Sequence, residues 1–214
     1  MAIAFGGISA VSTSQTPTSV SVSGSNTVGL VYVVGEATGD DITAVTWNSV
    51  SMTKIAVVKT PGGDRYISVW WIANPASATT ISFTGGTFWR SFSSYYTGAK
   101  QTGQPDSSNT ATSSASSAIT VATTVVASNC WQIMFQKDGQ GNTTYTASGV
   151  LTTVRADNDA GGIAIADSNG TVSTGSQSGT LTQSSGTANH GGIAFSIAPA
   201  ASVIYIPDLR LAFM

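Results

Sequence analysis

Almost every apolar stretch of this chain is short, rich in β-branched residues and closed by Gly, Asn, Asp or Ser, and none repeats its apolar positions with a helical period. That punctuation leaves room for strands and almost none for helices. Strands are expected at 27–35, 42–47, 50–58, 65–72, 79–84 and 88–97. A second series is expected at 119–126, 130–136, 142–146, 150–156, 162–166, 179–183 and 191–198. The run TVGLVYVVG at 27–35 lacks polar alternation, as a strand covered on both faces does. Asn48-Ser49 reads as a two-residue hairpin turn. Pro61-Gly62-Gly63-Asp64 reads as a sharp turn, and Gly85-Gly86 as the link of a further strand pair. The similar runs Gly161-Gly162-Ile163-Ala164-Ile165 and Gly191-Gly192-Ile193-Ala194-Phe195 are expected to mark equivalent strands of one sandwich. Many short strands with frequent turns specify an all-β, jelly-roll-like antiparallel β-sandwich over 1–198, followed by a short C-terminal arm or edge strand at 199–214. The one low-complexity stretch, QTGQPDSSNTATSSASSA at 101–118, is expected to be a mobile, exposed crossover.

Composition narrows the function. Of 214 residues, 61 are Ser or Thr and only 8% are charged, with single copies of Glu36, His190 and Cys130. Uncharged polar surfaces suit proteins that face the outside world, yet Met1-Ala2-Ile3-Ala4-Phe5-Gly6-Gly7 has no basic region or apolar stretch of an export signal. The first basic residue is Lys54. That pairing fits a component assembled inside a cell and released by lysis. At 41% hydrophobic residues the chain has the means to build a core. Its Lys and Arg residues are scattered singly, so no nucleic-acid partner is expected. Apolar runs fall short of the roughly 20 residues that span a bilayer, so no membrane partner is expected either. Cys130, alone in an apolar run, is read as a small buried hydrophobe.

The sequence offers little to catalysis. One histidine leaves room for at most one Ser-His-Asp arrangement, no Gly-x-Ser-x-Gly elbow is present, and His190 is read as a turn or rim residue. Glu36 with Asp40 and Asp41 is the one acidic grouping near Glu36 that a glycosidase could draw on, and reads as a solvated loop. Three Asp/Asn/Gly runs could offer oxygens to calcium, of which Asp157 and Asp159 are the best placed. None has EF-hand spacing. No catalytic residue, no metal ligand and no cofactor is therefore expected, with a structural calcium as the alternative. Trp70 and Trp71 are adjacent on a strand and should point to opposite faces, as should Tyr95 and Tyr96. The outward member of each pair could stack on a sugar or anchor a protein partner.

Trp47-Asn48-Ser49-Val50-Ser51-Met52-Thr53-Lys54, Gly63-Asp64-Arg65-Tyr66, Val69-Trp70-Trp71-Ile72-Ala73-Asn74-Pro75 and Tyr96-Thr97-Gly98 follow one another in order. This series resembles a β-sandwich module of phage structural proteins and large bacterial surface proteins, and the resemblance covers about 23–198. In that module the turn carries Gly where this chain has Ser49. The resemblance implies a jelly-roll-like sandwich in a structural or adhesive setting and no activity.

The last stretch, 202–214, ends in Leu209-Arg210-Leu211-Ala212-Phe213-Met214. Its alternating Leu209, Leu211 and Phe213 read either as an edge strand on the chain's own domain or as an arm that docks on a neighbour. The resulting expectation is a non-enzymatic virion protein of a tailed phage, a capsid decoration or head-fibre protein. Its partners would be the major capsid protein or other virion proteins and further copies of itself, as a trimer for example. Contact is expected through Trp70, Trp71, Leu209, Leu211 and Phe213. The alternatives are a glycan-binding module of a host-recognition fibre and a filament subunit joined by strand exchange.

Overall fold

A computed structural model describes residues 1–12, 20–35, 39–62, 65–77, 80–86, 88–139, 141, 144–158 and 161–201. Among them there are sixteen strands and no helix. The all-β, antiparallel sandwich expected from the sequence is what forms, and it is built as two similar units.

The first unit comprises β1 (Ala4–Ile8), β2 (Val28–Gly35), β3 (Ala44–Trp47), β4 (Val50–Ser51), β5 (Thr53–Lys59), β6 (Tyr66–Ala73), β7 (Ile81–Thr84) and β8 (Phe88–Thr97). The second comprises β9 (Ser107–Ser116), β10 (Ala118–Val125), β11 (Trp131–Asp138), β12 (Tyr145–Gly149), β13 (Thr153–Asn158), β14 (Ile163–Asp167), β15 (Gly175–Gln183) and β16 (Ala188–Ile197). Each unit has a five-stranded sheet, β1-β8-β2-β6-β5 or β9-β16-β11-β14-β13, and a three-stranded one, β4-β3-β7 or β10-β15-β12.

The five-stranded orders match strand for strand, and so does their register, whereas the three-stranded sheets differ: β3 is central in the first and β15 in the second. Tyr32 of β2 sits between Phe92 and Val69, as Phe135 of β11 sits between Ile193 and Ile165. Thr53 opposes Trp71 while Thr153 opposes Asp167, and each edge strand is then bulged, at Ile55 and at Arg155. A bulge inserts one unpaired residue and bends its strand. Two bulges at equivalent points therefore make the five-stranded sheets alike in geometry as well as in strand order.

The five-stranded sheets face each other. Their shared core holds Leu30, Tyr32, Val69, Phe92 and Tyr96 from one side and Ile133, Phe135, Ile165, Ile193 and Phe195 from the other. Tyr32 and Phe135, equivalent residues, meet edge to face at 5.4 Å between ring centres. The outer faces are covered by the three-stranded sheets. Val31, Trp47, Trp70 and Tyr95 fill one outer layer, and Val121, Met134, Ala164 and Leu181 the other. Both β2 and β11 are buried along their whole length, which explains the unbroken apolar run at 27–35.

Several expectations need correction. The stretch 101–118 is not a mobile crossover: Ser107–Ser116 is β9, paired with β16 from Ser196 to Ala188. Ser, Thr and Ala suit an edge strand with one wet face, so low complexity concealed a strand. Gly85-Gly86 does not close a hairpin, because β7 pairs with β3 whereas β8 pairs with β1 and β2. The two glycines, at φ 79 and 37, carry the chain between sheets. The run at 50–58 likewise divides at buried Met52, where the chain changes sheet. The two Gly-Gly-Ile-Ala segments flank β11 on either side. Part of the turn at 61–64 lies outside the described residues.

Candidate functional site

The residues singled out for chemistry are mostly taken up by the fold. His190 is not on a turn or rim: it lies in β16, fully buried, with Nδ1 3.1 Å from Gln136 Oε1 and Nε2 2.9 Å from the Ser116 carbonyl. Asp138 and Asp167 are also fully buried. Asp138 accepts hydrogen bonds from the Tyr145 hydroxyl and from the Gly141 amide at 2.8 Å. Asp167 accepts from the Tyr96 hydroxyl at 2.9 Å and from Arg155 Nε at 2.8 Å, tying the units together across the central core. Arg155 also lies over the Phe5 ring at 4.4 Å, joining the edges of the two five-stranded sheets. These carboxylates thus have the partners that a buried charge needs.

Of the acidic grouping, Glu36 lies outside the described residues and Asp40 pairs with Lys54 at 2.5 Å. Asp157 accepts the Tyr145 amide at 2.9 Å, while Asp159 lies outside the described residues. No cluster of three metal-ligating side chains occurs among the described residues.

The aromatic platform is corrected too. Trp70 is 4% exposed, its indole nitrogen donating to Ser68 and Lys54 lying over its ring. Trp71 is half-buried at the margin of the central core, with its indole N–H buried and unpaired. Tyr95 and Tyr96 are both buried. The alternation argument assigned opposite faces correctly, but the second face of each sheet is covered by another sheet rather than by water. Leu209, Leu211 and Phe213 lie outside the described residues.

What the sequence did not reveal is a cleft where the N-terminus meets residues 198–201. It has a volume of about 650 Å³, and its walls bring together Met1, Ala2, Ala127, Ala198, Pro199 and Ala201. A shallower extension of about 330 Å³ runs past Ser128, Asn129 and Thr171. The frame of this end is polar and fixed. Asp106 accepts the amides of Val126 at 2.8 Å and Ala127 at 3.0 Å. Gln104 imitates a strand partner for Ala198, donating to its carbonyl at 2.9 Å and accepting its amide at 3.1 Å. The N-terminal ammonium donates to the Ala200 carbonyl at 3.1 Å. Beneath the cleft Cys130 is buried, as expected, with Val125, Val172 and Ala198. Burial first, then nearby Asp106, pushes its thiol up to about 12, so it is not a reactive thiolate at neutral pH.

Exposed large apolar side chains are scarce among the described residues: Met1, Val50 and Val126. Met1 lines the cleft, and Val126 precedes Ala127 in its wall. The cleft is mixed in character: Lys100, Asp106, Ser128, Asn129 and Thr171 line it together with Met1, Ala127, Ala198 and Pro199. The signal available in sequence was indirect: Val126, with no apolar partner to its C-terminal side, and the small-residue run at 198–201. Comparison with protein-family models, with curated proteins and with solved structures returned no match to this chain.

Proposed function

We propose that this chain is a non-enzymatic structural protein of a tailed-phage particle, a capsid decoration or head-fibre protein. It binds the particle surface, with the major capsid protein or another virion protein as partner, and acts as a homo-oligomer. The observation that carries this reading is the use made of the chain's few chemical groups. Its one histidine and its most buried carboxylates serve as hydrogen-bonding cement inside a double sandwich, which leaves an outer surface rich in Ser and Thr. The sequence resemblance to phage and bacterial surface modules supports the same setting.

A glycan-binding role draws no comparable support. Among the described side chains no aromatic ring is exposed, and stacking on sugars needs one.

The test is quantitative mass spectrometry of purified particles from the source. Hundreds of copies relative to the major capsid protein fit a decoration protein. A handful per particle would move the role to a fibre or tail, and absence from particles would sink the reading.

A further inference from the structure

His190, the one histidine of the chain, is fully buried within the second unit, between two oxygens. Nε2 is 2.9 Å from the Ser116 carbonyl and Nδ1 is 3.1 Å from Gln136 Oε1. A neutral imidazole has one N–H and can donate to only one of them, whereas an imidazolium donates to both. The Ser116 carbonyl only accepts, so Nε2 keeps its hydrogen in either charge state. Gln136 has a choice. Its amide offers an oxygen on one side and an NH2 on the other, and in this orientation the buried Nε2 has no acceptor.

We infer that His190 and Gln136 form a proton-operated switch inside the second unit: the amide accepts from the ring when the ring is charged, and turns over to donate to it when the ring is neutral. The turn moves more than one bond. Beside Gln136 stands the Tyr145 hydroxyl, which donates to Asp138. Turned over, Gln136 faces that hydroxyl with oxygen instead of nitrogen, a second acceptor in competition with Asp138. A proton gained or lost on β16 is thereby felt at β12, along the row Ser116, His190, Gln136, Tyr145, Asp138. The first unit has no such row, since Val33 stands where the second has Gln136.

Among the described residues few charges face the ring. β9, β10 and β15 carry no ionisable residue. β12 supplies Tyr145, and β13 supplies Asp157, which accepts the Tyr145 amide at 2.9 Å. β11 supplies Asp138, opposite His190 in the ladder and therefore on its face of the sheet. Lys137 of β11 is turned by alternation to the other face, with Gly191. Val58 and Thr60 pack against that other face at Gly191, and Lys59 between them lies over Tyr66. A buried cation needs a counter-charge, and Asp138 provides it. The neutral ring gives the Gln136 NH2 an acceptor instead. Each state satisfies a group that the other leaves wanting, which is what a two-state element requires.

The test is nuclear magnetic resonance of the 214-residue chain with isotope-labelled nitrogen in its histidine and glutamine side chains, followed over the pH range in which it stays folded. With one histidine, the ring signals assign themselves. On acidification the ring should pass from a single proton, on Nε2, to two. The side-chain NH2 signals of Gln136 should shift with the same midpoint. In Gln136→Glu those NH2 signals should vanish, which assigns them. The ring midpoint of that variant should lie higher by about one unit or more, because a carboxylate only accepts and favours the imidazolium.

A neutral ring protonated on Nδ1 overturns the inference, because Gln136 would then accept in both states. So does a Gln136 amide whose signals do not follow the ring, or a ring that keeps one proton state throughout the folded range. An unchanged midpoint in Gln136→Glu overturns it as well. Should that variant fail to fold, the spectra of the native chain decide alone.

Discussion

The two sandwiches share one plan and fill it differently. The outer layer of the first is packed with large rings, Trp47, Trp70 and Tyr95, around Val31 and Val33. The same layer of the second holds Ala164, Ala166 and Ala194 beside Val121, Met134 and Tyr145. Where the second unit gives up ring volume it adds buried hydrogen bonds, from His190 to Gln136 and from Tyr145 to Asp138. Equivalent positions can differ as far as Trp71 and Asp167, which both oppose the bulged strand's leading Thr. What the five-stranded sheets keep in common is register: which residue faces inward, and where the edge strands β5 and β13 bulge. A one-residue slip would turn every side chain over, so register is held far more tightly than identity.

The largest perturbation of this balance should come from the layer both units own. Phe135→Ala removes a fully buried ring that touches Tyr32 and Phe92, and should cost about 3–5 kcal/mol. Urea unfolding followed by tryptophan fluorescence and by far-ultraviolet circular dichroism should shift as a single transition. Two separated transitions would show that the units are independent, despite their shared core.

Next comes the asymmetry within the first unit. Trp70→Ala empties the outer layer and should cost about 3–5 kcal/mol, the usual range for a buried ring. Half-buried Trp71, whose N–H has no acceptor, should cost clearly less when replaced by Ala. Equal losses would mean that Trp71 carries more of the central core than its exposure indicates.

A smaller effect separates the second unit's polar filling from the first unit's rings. Tyr145→Phe takes away a donor to buried Asp138 and should cost about 1–3 kcal/mol at neutral pH. The variant also alters the alkaline limb. Burial raises the ionisation of Tyr32, Tyr96 and Tyr145, with Asp138 adding to the effect at Tyr145. The folded chain therefore keeps protons that the unfolded chain loses above about pH 10. Stability from these groups is complete below that pH and falls as pH rises beyond it. Cys130, raised from 9.0 to about 12, starts the decline earlier. Urea midpoints measured against pH should fall less steeply above pH ~10 in Tyr145→Phe, and Cys130→Ala should remove the part between about pH 9 and 10. Unchanged slopes would mean that these groups reach solvent in the folded state.

Much of this architecture was legible in the sequence, and the parts that were not share a cause. The run at 27–35 announced a strand covered on both faces, and Phe88–Thr97 was bounded correctly because apolar residues and turn residues delimit it. β9 was missed because its Ser, Thr and Ala carry no apolar alternation; it is a strand through pairing with β16. The duplication was missed because VGLVYVVG and WQIMFQKD share geometry and not residues. The cleft was missed because small residues distant in sequence meet there only once both units have closed. In each case the information lies in long-range pairing, which local patterns do not encode.

The smallest expected effect concerns a turn. Asn48 and Ser49 link Trp47 to Val50 with φ of 50 and 65, so both turn residues are left-handed, as a type I′ hairpin requires. Asn tolerates that conformation, whereas Ser bears part of the left-handed penalty of about 1–2 kcal/mol for an L-residue. At the end of β12 the second unit places Gly149, at φ 72, where an added Cβ would lie 2.3 Å from the Ser178 carbonyl oxygen. Ser49→Gly should relieve strain but loosen the unfolded chain by about 0.5–1 kcal/mol, leaving a net gain of a few tenths to about 1 kcal/mol. Gly149→Ala should lose more than Ser49→Gly gains, since it meets both the positive φ and the carbonyl. If Ser49→Gly instead destabilises, the hydroxyl at that turn contributes more than its conformation costs. The two units would then differ in turn chemistry as much as in core filling.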